Sequence, residues 1–229
     1  MVSFLTPGYA PSYLDYSKGL DLQRVTHRAV ADNTCPNSVI LCEHNNVYTA
    51  GSRTEEKHRP SASHPIPVID VDRGGSITWH GPGQLIGYPI VRLPEAKNVV
   101  GFVRLLESAL INALSDHGIV GKRVHGRSGV WIASSTGHNK IAAIGLRVSR
   151  GVTMHGFALN CSNSLTPYEH ITACGISDAG VTTVSLEAQR IVSPTDIAPS
   201  VTTHLASALA SFGIGETTAL HTENAALRR

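Results

Sequence analysis

The feature that most limits what this chain can fold into is "KIAAIGLRVSRGVTMHGFALNC", residues 140–161. It reads as two apolar strand segments, 140–149 and 152–161, joined only by Arg150 and Gly151. Two residues suffice for an antiparallel hairpin and are far too few for the crossover that parallel neighbours need. Any sheet built here is therefore antiparallel or mixed. Further strands are expected at "SVILCEH" (38–44), at "NNVYTAG" (45–51) after a turn, at "VIDVD" (68–72), at "QLIGYPIVRL" (84–93) and at "SGVWIAS" (128–134), with residues 52–67 an exposed, Pro- and charge-rich loop.

Helices are expected over 12–31, 98–117 and 194–212. The second carries Val99, Phe102, Val103, Leu106, Leu110, Ala113 and Leu114 at spacings of three and four and stops at Gly118. The third opens with Ser193 as N-cap and Pro194 in the first helical position. Strands interspersed with few helices and joined by a hairpin predict a single α+β domain, a mixed β-sheet flanked by helices, rather than a doubly wound parallel sheet. It is expected to span residues 1–213, with 214–229 a loosely ordered polar tail.

Composition narrows the function. The net charge is +2, with no basic run, so nucleic acid is not an expected partner. No apolar run approaches the ~20 residues that cross a bilayer, and no basic-then-apolar leader opens the sequence, so a cytoplasmic, non-membrane protein is expected. The cysteines, 35, 42, 161 and 174, form no CxxC pair and are read as reduced. Cys35, Cys42 and His44 match no closed zinc spacing, and no metal is expected.

Between two of the strands lies "RGGSITWHGPGQLIGYP" (73–89), with five glycines and two prolines. Each glycine costs conformational entropy, so this density suits backbone that turns tightly or lies against a ligand. An elaborate hairpin connection and a binding loop are both compatible with it. Two reactive side chains stand elsewhere. Cys174 sits in the polar, glycine-bracketed "HITACGISDAGVTTV", and Lys140 heads the apolar strand "KIAAIG". Each has a bland reading, an inert thiol and a solvated strand end. Together they offer a chemical one. A thiol with a pKa of about 8.5 is mostly protonated at neutral pH, and an adjacent ammonium stabilises the thiolate.

The blocks "LCEHNNVYTAG", "RGGSITWHGPGQLIGYPI", "GRSGVW", "KIAAIGLRVSRGVTMHGFALN" and "CGI", in this order and separation, resemble the lipoyl(octanoyl) transferase family of lipoate biosynthesis over roughly residues 13–190. The resemblance implies the mixed-sheet fold shared with biotin and lipoate protein ligases. It also implies transfer of octanoate from acyl carrier protein, through a cysteine thioester, to a lysine of lipoyl domains in 2-oxoacid dehydrogenase complexes and the glycine cleavage H protein. By position Cys174 is then the nucleophile and Lys140 its proton-relaying partner. The substrate-contacting segments become Arg73, Gly74, Gly75, Ser76, Ile77, Thr78, Trp79 and His80, then Ala143, Ile144 and Gly145, then Gly156, Phe157 and Ala158. No cofactor is implied, because thioester exchange is nearly balanced and aminolysis to an amide runs downhill. Backbone N–H groups of the glycine-rich segments are the natural oxyanion donors.

Alternatives stay open at this stage. His80 and Arg73 either touch substrate or hold the loop, Asn160 either contacts ligand or supports backbone, and His155 is a rival base for Cys174. Arg147 and Arg150 either dock an acidic carrier protein or cap a solvated strand end. The chain departs from the family pattern at Ala173 and at Asn45 and Asn46, where prolines are common. An ATP-dependent lipoate or biotin ligase and a non-catalytic carrier-binding protein are the other functions to be weighed.

Overall fold

Arg150 and Gly151 both take left-handed backbone angles, φ +52° and +74°, the geometry whose twist matches antiparallel strands. The hairpin predicted from the sequence is thereby made. In this computed structural model, which describes residues 2–96, 98–135, 137–172 and 179–215, eleven strands and four helices are seen. In chain order they are β1 (Val2–Gly8), α1 (Tyr16–Ala31), β2 (Asn37–Cys42), β3 (Val47–Ala50), β4 (Val68–Asp70), β5 (Thr78–His80) and β6 (Gln84–Ile90). There follow α2 (Val99–Ser115), β7 (Lys122–Val124), β8 (Arg127–Ser134), β9 (Gly137–Ser149), β10 (Val152–Asn160), β11 (Gly180–Val181), α3 (Val184–Glu187) and α4 (Pro194–Ser211).

The main sheet runs β1-β2-β6-β10-β9-β8-β7, with β11 added in parallel to the head of β9. The β1–β2 pair is parallel and the other neighbours along that order are antiparallel, so the sheet is mixed as expected. A second, three-stranded sheet, β4-β3-β5, carries the glycine-rich stretch. Strand alternation divides the core. Val39, Leu41, Leu85 and Leu159 pack under α2 and α4, while Ile40, Cys42, Ile86 and Ala158 pack with the α1 side, as period-two burial requires.

Capping sets the helix boundaries. Asp15 accepts from the Lys18 N–H, so α1 opens at Tyr16 and not at residue 12; Leu14 just before it is bridged to His44. Asn98 caps α2 by accepting from the Gly101 N–H, and Ser193 with Asp196 forms a reciprocal capping box on α4. Ile214, next to the boundary expected for the polar tail, is buried in the core, and residues from 216 onward lie outside the described residues.

One irregularity shapes the site. Pro89 in β6 has no N–H to give β10, and Thr153 substitutes a side chain: its hydroxyl donates to the Pro89 carbonyl (2.6 Å) and accepts from the Val91 N–H (3.0 Å). Two residues on, His155 adopts φ +59°, a left-handed conformation that non-glycine residues take at a cost of order 1–3 kcal/mol and that clusters at functional sites.

Candidate active site

A cavity of about 370 Å³ opens on the α1 side of the sheet, where β9 and β10 meet the loop ahead of β5. The three segments singled out in the sequence converge on it. Arg73, Gly74, Gly75, Ser76, Thr78 and His80 form one wall, and Ala143–Gly145 and Gly156–Ala158 the wall opposite. Lys140 lines it as well. Ile77 and Trp79, expected on the same wall, face the other way and pack with Tyr48, because alternate residues of an extended segment point to opposite faces. Cys174 lies outside the described residues. Sequence reasoning missed Tyr16 and Tyr88, which close the buried end, and the rim residues Arg53 and Glu55. No local pattern marks them, since they come from a helix face, a strand face and a loop.

Arg73 explains how so glycine-rich a loop keeps one shape. Its buried guanidinium donates to the carbonyls of Gly74 (3.1 Å), Ser76 (2.8 Å) and Thr49 (2.6 Å), and to the Thr49 hydroxyl (2.9 Å). Gly75 sits at φ +92°, which only glycine takes without strain. The loop is tied to β9 by the Gly74 N–H, which donates to Leu146 O (2.9 Å). That N–H is thus already engaged. Close approach is needed there too, as a Cβ on Gly145 would lie 3.0 Å from Gly74 O.

The histidines beneath the loop are locked in neutral forms. The Thr49 hydroxyl donates to His80 Nε2 (3.2 Å), and His80 Nδ1–H donates to Gln84 Oε1 (2.9 Å). Gln84 in turn gives its amide hydrogens to Asn160 and Tyr168, and Asn160 donates to Thr182 O. Both ring nitrogens of His80 are occupied, and burial, followed by the charges of His44 and Arg73, pushes it down to about 3. His44 Nδ1–H donates to Leu14 O (2.7 Å), so its Nε2 accepts from the Tyr88 hydroxyl (2.7 Å). Burial takes His44 down to about 4 and raises Tyr88 well above the ordinary phenol range.

His155 Nε2–H donates to Asp72 (2.9 Å), and its backbone N–H is held by Gln23 Oε1 (2.9 Å). Asp72 also pairs with Arg147, so its charge is shared. Burial and the nearby Arg73, Arg147 and Arg24 press His155 down to about 3, which makes it a weak proton acceptor. Arg150 is paired with Asp32 (2.7 Å), so both hairpin arginines have local carboxylate partners. Lys140 differs from all of these. It is 8% exposed, and its Nζ stands 4.6 Å from the centre of the Trp131 ring, a cation–π contact at the cavity wall.

The described residues bring together no group of three or more His, Cys, Asp or Glu able to hold a metal ion, and include no helix long and apolar enough to cross a membrane. Cys35, Cys42 and Cys161 are free, and burial raises the Cys42 and Cys161 thiols far above the range in which a thiolate forms at neutral pH.

Comparison with known proteins agrees with this architecture. The chain is 54% identical over 215 residues to an octanoyltransferase of Leifsonia xyli subsp. xyli, covering 93% of this chain and 94% of that protein. Other relatives at 50–52% identity carry the same description. Among solved structures, a bi-partite lipoate protein ligase from Thermoplasma acidophilum superposes with a TM-score of 0.61 at 14% identity, over 97% of this chain and 88% of that one. A biotin protein ligase from Aquifex aeolicus does so with a TM-score of 0.51 at 12% identity, over 94% and 71%. These two show the fold alone, the one expected from the sequence. The profile described as "Lipoyl protein ligase A/B catalytic domain" matches residues 15–206, and the chain belongs to that family.

Proposed function

We propose that this chain carries an octanoyl group from an acyl carrier protein thioester, through a thioester on Cys174, to the ε-amine of a lysine on a lipoyl domain, in the cytoplasm and with residues 1–213 as the catalytic unit. That it is an octanoyl-transferring enzyme of lipoate biosynthesis follows from its family and from the description its relatives share. The acceptors are the lipoyl domains of 2-oxoacid dehydrogenase complexes and the glycine cleavage H protein. The observation that carries the reading is Lys140, a buried lysine on the wall of the cavity where the glycine-rich loop meets β9 and β10.

In the first step the Cys174 sulfur attacks the acyl carbonyl, a new C–S bond forms, the carrier thiolate leaves, and the proton lost by Cys174 is returned to it. Lys140, as the ammonium paired with the Cys174 thiolate, carries that proton and donates it to the leaving carrier thiolate. His155, the rival base, has its Nε2–H engaged by Asp72, and burial with the nearby arginines disfavours its taking up a proton. In the second step the acceptor amine attacks the same carbonyl, an amide forms, and the Cys174 thiol is restored. Arg73 and His80 act by holding the loop, since their polar atoms are spent on Thr49, Gln84 and loop carbonyls. The apolar chain lies between the glycine loop and β10, where each buried methylene contributes up to about 0.8 kcal/mol.

Intact-protein mass spectrometry after mixing with octanoyl-acyl carrier protein tests this. The expected result is a gain of one octanoyl group, removed by hydroxylamine and absent from Cys174→Ser, with loading strongly slowed in Lys140→Ala. An adduct that survives in Cys174→Ser, or transfer of free octanoate that requires ATP, overturns it.

A further inference from the structure

Regular strand alternation would turn Lys140 away from the cavity. Along β9, Ala142 belongs to the core under α2 and α4, and Ile144, Leu146 and Val148 pack against it, whereas Ala143 and Gly145 line the cavity on the opposite face, with Ile144 reaching its edge. Residues two apart share a face, so an unbroken strand would place Lys140 with Ala142, against the helices. The pairing with β8 is broken at this point. Val130 lies opposite Ala142 and Trp131 opposite Lys140, which leaves Ile141 as an extra residue, a β-bulge. Ile141 and Ala142 are both fully buried in the core, and Lys140 is returned to the cavity face beside Trp131.

The residues that hold this bulge lie outside the cavity. On β8, Gly129 takes φ +108°, and a Cβ there would stand 2.4 Å from Ala142 O. Its N–H donates to Glu107 Oε1 (3.0 Å). Glu107, on α2, is completely buried, and its other oxygen accepts from Arg104 Nη1 (2.6 Å) and Arg123 Nε (3.0 Å). Burying a carboxylate is costly unless its partners are complete, and here they are two guanidinium groups and one backbone N–H beside the bulge.

We propose that Glu107 is a positioning residue for Lys140: by capping the Gly129 N–H it fixes the bulged register that presents the lysine to the cavity. It touches no reacting group, and the proposal rests on the reading of Lys140 given above.

The test combines a spectroscopic and a kinetic readout. Protons held over an indole face are shifted upfield, so the Lys140 side-chain resonances report its seat on Trp131 without any substrate. Glu107→Gln keeps an acceptor for Gly129 and should retain both the shift and kcat. Glu107→Ala should lose the shift and lower kcat on the order of 10²-fold, as misplacement by about 1 Å does, with KM little changed. If the alanine variant does not fold, Glu107→Asp keeps the charge facing Arg104 and Arg123 while withdrawing by one methylene from Gly129, and should show the same losses. In a Lys140→Ala background, Glu107→Ala should cost nothing more. Retention of shift and kcat in the folded Ala or Asp variant overturns the proposal, as does loss of kcat with the shift intact. Should Lys140→Ala itself transfer octanoate normally, the reading of Lys140 fails, and the resonance comparison still decides whether Glu107 seats it.

Discussion

Acidification from about pH 7.5 to about pH 5 should remove several kcal/mol of stability through three histidines around the candidate site. In the folded chain His44 is depressed to about 4, and His80 and His155 to about 3, each chiefly by burial, from an ordinary 6.5. Unfolded, each ring takes up a proton as the pH falls through 6.5, while the folded chain keeps it neutral to much lower pH. The unfolded state therefore binds more protons across that window, and stability present above 6.5 is lost below it. One ring costs about 1.4 kcal/mol per pH unit, or about 2 kcal/mol at pH 5. Three give an upper bound of about 6 kcal/mol, comparable to the ~5–15 kcal/mol that holds a typical domain together. The His44 and His80 ring centroids are 6.3 Å apart, so protonating one ring in the folded state makes the other harder to protonate. Urea unfolding across this pH range should give a slope approaching three protons taken up on unfolding, falling by one in His80→Gln. A loss below about 2 kcal/mol between the two pH values would refute the argument, because a single buried neutral ring accounts for that much.

Arg73→Lys keeps the charge but not the planar fork and should leave two of the three carbonyls of Gly74, Ser76 and Thr49 without a well-placed donor, at ~1–3 kcal/mol each, lowering the melting temperature by roughly 4–24 °C. A melt within about 2 °C of wild type would show that the guanidinium does not pin the loop. Gly74→Val should fold, since a Cβ there meets only Leu146 O at 3.3 Å, yet slow octanoyl loading; normal loading by this variant sinks the idea of a loop built for close approach. Gly75→Val, at φ +92°, should lose stability as well as loading in the same mass assay. Among the described residues the buried Thr78 hydroxyl finds no partner, so Thr78→Val should raise stability by ~1–3 kcal/mol in a thermal melt, and a fall would show that the hydroxyl is satisfied.

Much of the fold was legible because the signals were local. Two residues between strands forced the hairpin, and Ser193, Pro194 and Gly118 marked helix ends through their own backbone preferences. β1 was not, since seven residues ending in Thr-Pro-Gly acquire strand character only by pairing with β2. Within the site the glycine-rich blocks were readable, yet which of their residues face the cavity was not. Ile77 and Trp79 turn away because of strand alternation, and Lys140 turns inward against it. The second case depends on a bulge held partly by a helix residue 33 positions earlier (140 minus 107), and one-dimensional periodicity carries no trace of it. Tyr16 and Tyr88 reach the cavity from elements whose apolar patterns look like any other core face.

On the role proposed for Lys140, its contact with Trp131 also gives the enzyme an optical reporter of that step. The chain holds two tryptophans, and Trp79 lies in a separate cluster against Tyr168, so the Lys140 charge bears mainly on one indole. A cation over an indole face stabilises ground and excited states unequally, so the proposed proton transfer from Lys140 is expected to shift the emission of Trp131. With Trp79→Phe as background, stopped-flow fluorescence can follow the proton inventory of a turnover without a label, a chromogenic ester or a coupled assay.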